Sequence, residues 1–245
     1  MYYFASDVHL GAGDEQQSRC TERRFIRWLD MAAKDADTIF LVGDIFDFWF
    51  EYHEVVPKGF TRVLGKFSEL TDRGVKIIFF IGNHDMWCYD YLQRECGVQI
   101  EYAPRFYTLS GRKLFIAHGD NMNIKDKPLL RFMNAGFRSK TLRTIFSWLV
   151  HPDLAMRFGK WWSNKSRKSH PKPATIDSLS FLIDYARECK REHPDTDYTI
   201  FGHLHLGHDH SEEGLRVIFL SDWTDSTINY ATLDAEGNIT LNNFS

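Results

Sequence analysis

Three scarcities in this chain each remove a class of function. Its four cysteines, Cys20, Cys88, Cys96 and Cys189, show no CxxC or zinc-finger spacing, so neither a zinc knuckle nor a disulfide scaffold is expected. Reduced thiols in a cytoplasmic setting are the plain reading. No apolar run approaches the ~20 residues that a bilayer-crossing helix needs, so no membrane span is expected. A signal peptide is not expected either, because Tyr2 already opens a run of β-formers. Internal repeats and low-complexity tracts are also missing. The 245 residues, with a formal charge of −3, can bury a substantial core as one soluble enzyme-sized domain.

What is present is a set of five short strings: DVH from Asp7, GDIFD from Gly43, GNHD from Gly82, HGD from His118 and GHLH from Gly202. Each follows an apolar run of strand character, at 2–5, 38–42, 76–81, 113–117 and 198–201. Their Asp, His and Asn side chains therefore collect at one edge of a sheet. A single GD or HGD is commonly a turn in which Gly takes a positive φ and Asp bonds to nearby backbone. Five such strings in one chain are hard to explain as turns, and they point to metal binding or catalysis.

The chemistry suits a pair of cations. Two ions ~3.5–4 Å apart can share a carboxylate, acidify a water and clamp the oxygens of a phosphorus under in-line attack. Neutral His and Asn fill the shells without making the site so negative that phosphate is repelled. Mixed nitrogen and oxygen ligation without thiolate fits manganese, iron or zinc better than copper or magnesium.

The ensemble resembles the calcineurin-like metallophosphoesterase superfamily over residues 7–205. That resemblance implies an α/β fold, a four-layer α/β/β/α sandwich with two divalent metal ions, manganese foremost, in a cleft of strand-end loops. Carried across, one ion takes Asp7, His9, Asp44 and His205, and the other takes Asp44, Asn83, His118 and His203, with Asp44 as the bridge. His84 would sit within reach of the leaving oxygen as a catalytic group, oriented by Asp47. A carboxylate behind a His fixes its tautomer and stabilises the imidazolium. Asp85 and Asp120 read as loop-bracing groups.

Between the strings, residues 22–33 and 60–70 carry apolar positions at helical spacing, and 215–220, 228–234 and 239–243 read as strands. Gly237 marks the turn between the last two. Residues 121–173 break the rhythm and read as a helical cap inserted between core segments 1–120 and 174–245. Arg131, Arg138, Lys140, Arg143, Arg157, Lys160 and further cations stand there against Asp126 and Asp153, interleaved with Phe146, Trp148, Phe158, Trp161 and Trp162. Three accounts compete. The cations of a packed hairpin are merely solvated, or a basic and aromatic groove holds single-stranded nucleic acid, or the cap meets a lipid phosphate at an anionic membrane. The insertion is too apolar for nucleic acid to lead, and no nucleic-acid partner is expected.

An HGD, an acidic position soon after it, a basic and aromatic insertion and a helix leading to GHxH together resemble the UDP-2,3-diacylglucosamine diphosphatase family. This implies a lipid-linked nucleotide substrate, cleaved to UMP and 2,3-diacylglucosamine 1-phosphate in lipid A biosynthesis. It also implies a peripheral location on the cytoplasmic face of the inner membrane. By position, Asp126 would contact the glucosamine, and Arg157, Ser163, Asn164, Lys165, Arg167 and Lys168 would contact sugar and phosphate. One departure stands out: members of that family read GNRD where this chain reads GNHD, placing His84 where they carry Arg. Arg neutralises a phosphate leaving group, whereas His can also supply a proton to an alkoxide. A phosphodiesterase or phosphatase for soluble nucleotides remains an alternative, as does a non-catalytic interaction module, though all seven ligand positions are filled. The sequence carries no signal for an oligomeric state.

Overall fold

Alternation along the strands builds two facing sheets. On β2, Thr38–Val42, every residue is buried; Ile39 and Leu41 pack with helices, while Phe40 and Val42 pack with the other sheet. A strand covered on both faces reads as a continuous apolar run for that reason. In this computed structural model, residues 1–122, 136, 139–169, 175–224 and 227–245 are described.

The first sheet joins β1 (Tyr2–Ala5), β2, β3 (Lys76–Phe80), β4 (Gln99–Glu101), β10 (Ile228–Leu233) and β11 (Ile239–Phe244) in the order β11-β10-β1-β2-β3-β4. The second joins β5 (Arg105–Leu109), β6 (Arg112–Ala117), β7 (Tyr198–Phe201), β8 (His208–Glu212) and β9 (Leu215–Phe219) in the order β5-β6-β7-β9-β8. Helices α1 (Glu15–Ala32) and α2 (Thr61–Asp72) cover the outer face of the first sheet through Phe25, Trp28, Leu29, Val63 and Phe67. Helix α6 (Ser180–Glu192) covers the second through Leu182, Ile183 and Ala186. Phe4, Phe40 and Phe80 meet Leu114, Ile116 and Ile200 between the sheets. The four layers are thus helix, sheet, sheet and helix, as expected.

Strands β1, β2 and β3 run parallel, as do β6, β7 and β9. All five strings leave the carboxyl ends of such strands, so they meet at one rim. Three further α-helices are α3 (Tyr91–Cys96), α4 (Lys140–Leu149) and α5 (Pro152–Ser169). The last two fall within the insertion. Helix α1 begins earlier than residue 22, because Asp14 accepts a hydrogen bond from Gln17 N at 2.8 Å while Gln17 Oε1 accepts one from Asp14 N at 3.1 Å. This reciprocal cap satisfies two otherwise orphaned donors of the polar first turn. Among the described residues, no helix is long and apolar enough to cross a membrane.

Candidate metal centre

Each candidate ligand stands one to four residues beyond a strand end, and five of the seven take a left-handed backbone conformation there. Among the described residues, the non-glycine positions with positive φ are Asp7, His9, Asp44, His203 and His205, together with Phe60 and Ser110. Asp and His tolerate this region better than most residues, but it remains costly, and clustering of such positions marks a functional site. The glycines beside them are required by close approach. A Cβ at Gly82 would overlap the Asp44 carboxylate, one at Gly43 the His118 ring, and one at Gly202 the Ser6 hydroxyl.

Six of the seven expected ligands are brought together in two groups. Ligand atoms of Asp7, His9 and His205 lie within 4.8 Å of one another, and so do those of Asp44, His118 and His203. His205 Nε2 is 3.3 Å from Asp7 Oδ1 and 3.2 Å from His9 Nε2, and His118 Nε2 is 3.2 Å from Asp44 Oδ2. Asn83 lies on the Gly82 loop with its Oδ1 buried and without a hydrogen-bond partner. Asp7 Oδ1 and His118 Nε2 are likewise buried without one. Leaving such atoms unmet costs ~1–3 kcal/mol each. Divalent cations would satisfy such atoms, so this set of buried Asp, His and Asn donors fits the ions that the fold implies.

Charge and burial act against each other throughout the site. Burial alone would raise the Asp44 carboxyl, yet the His118 and His84 imidazoles hold it well below the usual carboxylate range. Burial would lower His118, but Asp44 raises it well above an ordinary imidazole. His205 behaves likewise, reaching about 10 because Asp222 and Asp7 outweigh its burial. For His9 and His203 burial wins, and each falls to about 3.

Supporting groups hold the loops. Asp85 accepts backbone hydrogen bonds from Gly82 at 2.7 Å, Ile45 at 2.7 Å, Phe46 at 3.2 Å and Asp44 at 3.3 Å. It thus ties the Asp44 loop to the Asn83 loop, as its reading as a brace expects. Asp120 accepts from Asn121 Nδ2 at 2.7 Å. His118 Nδ1 faces Val42 O at 2.9 Å, so it donates there and leaves Nε2 as the atom that could ligate. The sequence reading missed Asp222, whose Oδ2 lies 3.4 Å from His205 Nδ1 and accepts from Thr224 Oγ1 at 2.6 Å. Its signal was one acidic residue shortly after the end of β9.

The expected link between Asp47 and His84 takes a different form. His84 Nδ1 meets the main-chain carbonyl of Asp47 at 2.8 Å, while the Asp47 carboxylate is 3.9 Å away. The carboxylate instead receives the Ser163 hydroxyl at 2.6 Å and faces His9 Nδ1 at 3.6 Å. The reason is local: Trp49 N bonds to His84 O at 3.3 Å, so the two backbones run side by side and the Asp47 carbonyl is the nearest acceptor. His84 itself belongs to the centre, with ligand atoms of His9, Asp44 and His84 within 4.8 Å of one another.

Of the expected substrate contacts, Ser163 is buried against this pair and Arg157 is exposed on α5. Asn164, Lys165, Arg167 and Lys168 lie on α5, where the backbone alone is described. Asp126 lies outside the described residues. Phe48, Met86, Trp87, Phe158 and Trp162 form an apolar crevice beside His84, between α5 and the core.

The comparisons agree with this geometry. A protein of Porphyromonas gingivalis named UDP-2,3-diacylglucosamine hydrolase is 39% identical over 90% of this chain and 89% of its own. One of the same name from Neisseria gonorrhoeae is 30% identical over 96% of this chain and 95% of its own. Among solved structures, a novel archaeal phosphodiesterase superposes with a TM-score of 0.52 over 99% of both chains at 14% identity, a likeness of fold. A profile described as calcineurin-like phosphoesterase matches residues 2–207. With the profile spanning most of the chain and a candidate metal-binding Asp and His cluster assembled at the sheet rim, the protein belongs to the calcineurin-like phosphoesterases and is a metal-dependent hydrolase.

Proposed function

We propose that this enzyme hydrolyses the pyrophosphate of UDP-2,3-diacylglucosamine, releasing UMP and 2,3-diacylglucosamine 1-phosphate for lipid A biosynthesis. The observation that carries the reading is near full-length similarity, at 39% and 30% identity, to two proteins named for that substrate. The apolar crevice beside His84 supports it, since a diacyl chain needs an apolar wall next to the reacting phosphate. Manganese is the proposed metal. Asp7, His9, Asp44 and His205 hold one ion, Asp44, Asn83, His118 and His203 the other, and Asp44 is shared.

Bound there, two divalent cations supply an activated water and neutralise the phosphoryl oxygens. The chain's own residues do the rest. A carbonyl accepts only, so the proton of the His84 ring resides on Nδ1, pointing at Asp47 O. Nε2 is then the atom that takes and gives a proton. A proton carried there lets the ring neutralise or protonate the leaving oxygen, whereas the Arg of the GNRD family that this chain resembles can only neutralise it.

The insertion at 121–173 serves as a cap over the cleft, and Asp126, Arg157, Asn164, Lys165, Arg167 and Lys168 are its proposed substrate contacts. Leu142, Trp148, Leu149 and Trp161 are exposed on α4 and α5, which supports peripheral attachment to the cytoplasmic face of an anionic inner membrane. Basic residues add ~1 kcal/mol each at such a surface. A substrate panel of UDP-diacylglucosamine, soluble UDP-sugars and cyclic nucleotides with added manganese tests the reading. UMP release from the diacyl substrate far above the others is expected; preference for a soluble nucleotide would overturn it.

A further inference from the structure

Among the described residues of α5, Ser163 brings a hydroxyl to the Asp47–His84 pair. Ser163 is 1% exposed, donates from Oγ to Asp47 Oδ1 at 2.6 Å and lies 3.1 Å from His84 Nδ1. The directions of these bonds are forced. The Asp47 main-chain carbonyl at 2.8 Å is a pure acceptor, so Nδ1 carries the ring proton and can only donate. Toward His84, Ser163 therefore accepts, and its own proton goes to the Asp47 carboxylate. The relay runs from His84 Nδ1–H to Ser163 Oγ–H to Asp47 Oδ1.

Asp47 cannot complete this relay alone, because its carboxylate stands 3.9 Å from the ring nitrogen. The missing link comes from 116 positions further along the chain, on a helix of the insertion. That helix is pressed close at this point. Gly159, one turn before Ser163, faces Phe48 so tightly that a Cβ would overlap the ring. Ser163 is among the expected substrate contacts, and its hydroxyl also engages the enzyme's own Asp47 and His84.

We propose that Ser163 is a positioning residue for His84, so that the ring is set for leaving-group chemistry when α5 is seated on the Asp47–His84 pair. The proposal rests on the role of His84 given above. It makes the insertion a part of the catalytic apparatus as well as a wall for substrate. Without Ser163 the ring keeps only its bond to the Asp47 carbonyl and is held less firmly, and a misplacement of ~1 Å can cost ~10²-fold in rate.

A double-mutant cycle on the full-length, manganese-loaded enzyme tests this, with turnover of UDP-diacylglucosamine, metal content and thermal midpoint read for each variant. Ser163→Ala should lower kcat by roughly 10–100-fold with KM and metal content near wild type. Ser163→Thr, which keeps the hydroxyl, should recover most of the loss. In the His84→Ala background, Ser163→Ala should add less than about a twofold further loss, because the group it positions is gone. A loss that is equally large in both backgrounds would show that Ser163 merely packs the helix and would overturn the proposal, as would a Ser163→Ala enzyme with wild-type kcat. Unimpaired turnover in His84→Ala itself would overturn the role of His84 and this proposal with it, and is distinguished by that single variant.

Discussion

Asp85→Asn isolates what holds the two central loops together. In the wild type each Asp85 oxygen accepts two backbone N–H groups: Oδ1 from Gly82 and Asp44, Oδ2 from Ile45 and Phe46. An Asn keeps one carbonyl oxygen and turns an NH₂ against the other pair. Two buried donors then lose their acceptor, at ~1–3 kcal/mol each, for a total of ~2–6 kcal/mol. Against a typical domain stability of ~5–15 kcal/mol this is a large fraction. Burial and the Asp44 charge raise Asp85 to about 7, so the comparison belongs at pH 8, where the carboxylate is ionised. Urea unfolding with a chelator present, which removes stabilisation by bound metal, should show a lower midpoint at unchanged slope. Manganese affinity should fall as well, because Asp44 and Asn83 ride on the loops that Asp85 joins. A variant with wild-type midpoint and wild-type metal affinity would refute the reasoning.

His84→Ala should lower turnover ~10²–10⁴-fold with metal content unchanged, whereas His84→Arg should keep much of the activity on a pyrophosphate. Steady-state rates on UDP-diacylglucosamine check this, and an equal collapse of both variants would point to an alkoxide leaving group instead. Replacing Trp161 and Trp162 by Ala should impair hydrolysis of the diacyl substrate far more than that of a small phosphodiester; equal losses on the two would assign these rings to packing. Metal uptake should release protons, since His205, raised to about 10, and His118, also raised, are protonated in the metal-free protein at neutral pH and must be neutral to ligate. Apparent manganese affinity should therefore climb between pH 6 and 8, by ~10-fold per unit for each proton displaced, and calorimetry in buffers of different ionisation heat will count those protons.

The rim of the two sheets was legible because its strands are apolar on both faces and its ligands follow them within a few residues. Local signals suffice for that pattern. Other elements lacked them: β8 reads HDHSE at a sheet edge, β5 has no fully buried residue, and α3 is a helix of six residues. The first turns of α1 carry no apolar period, although Asp14 and Gln17 stood at capping-box spacing. Asp222 and Ser163 were harder for a different reason. Their partners, His205 and the Asp47–His84 pair, are distant in sequence, and chain folding rather than spacing brings them together.

The most direct test of the dinuclear assignment is Asp44→Ala, assayed for metal per folded chain and for phosphoester hydrolysis. Asp44 is the one side chain assigned to both ions, and no neighbour can replace it locally. The account predicts that the folded variant fails to hold two ions and hydrolyses nothing. A folded Asp44→Ala enzyme that turns over any phosphoester at near the wild-type rate would contradict it.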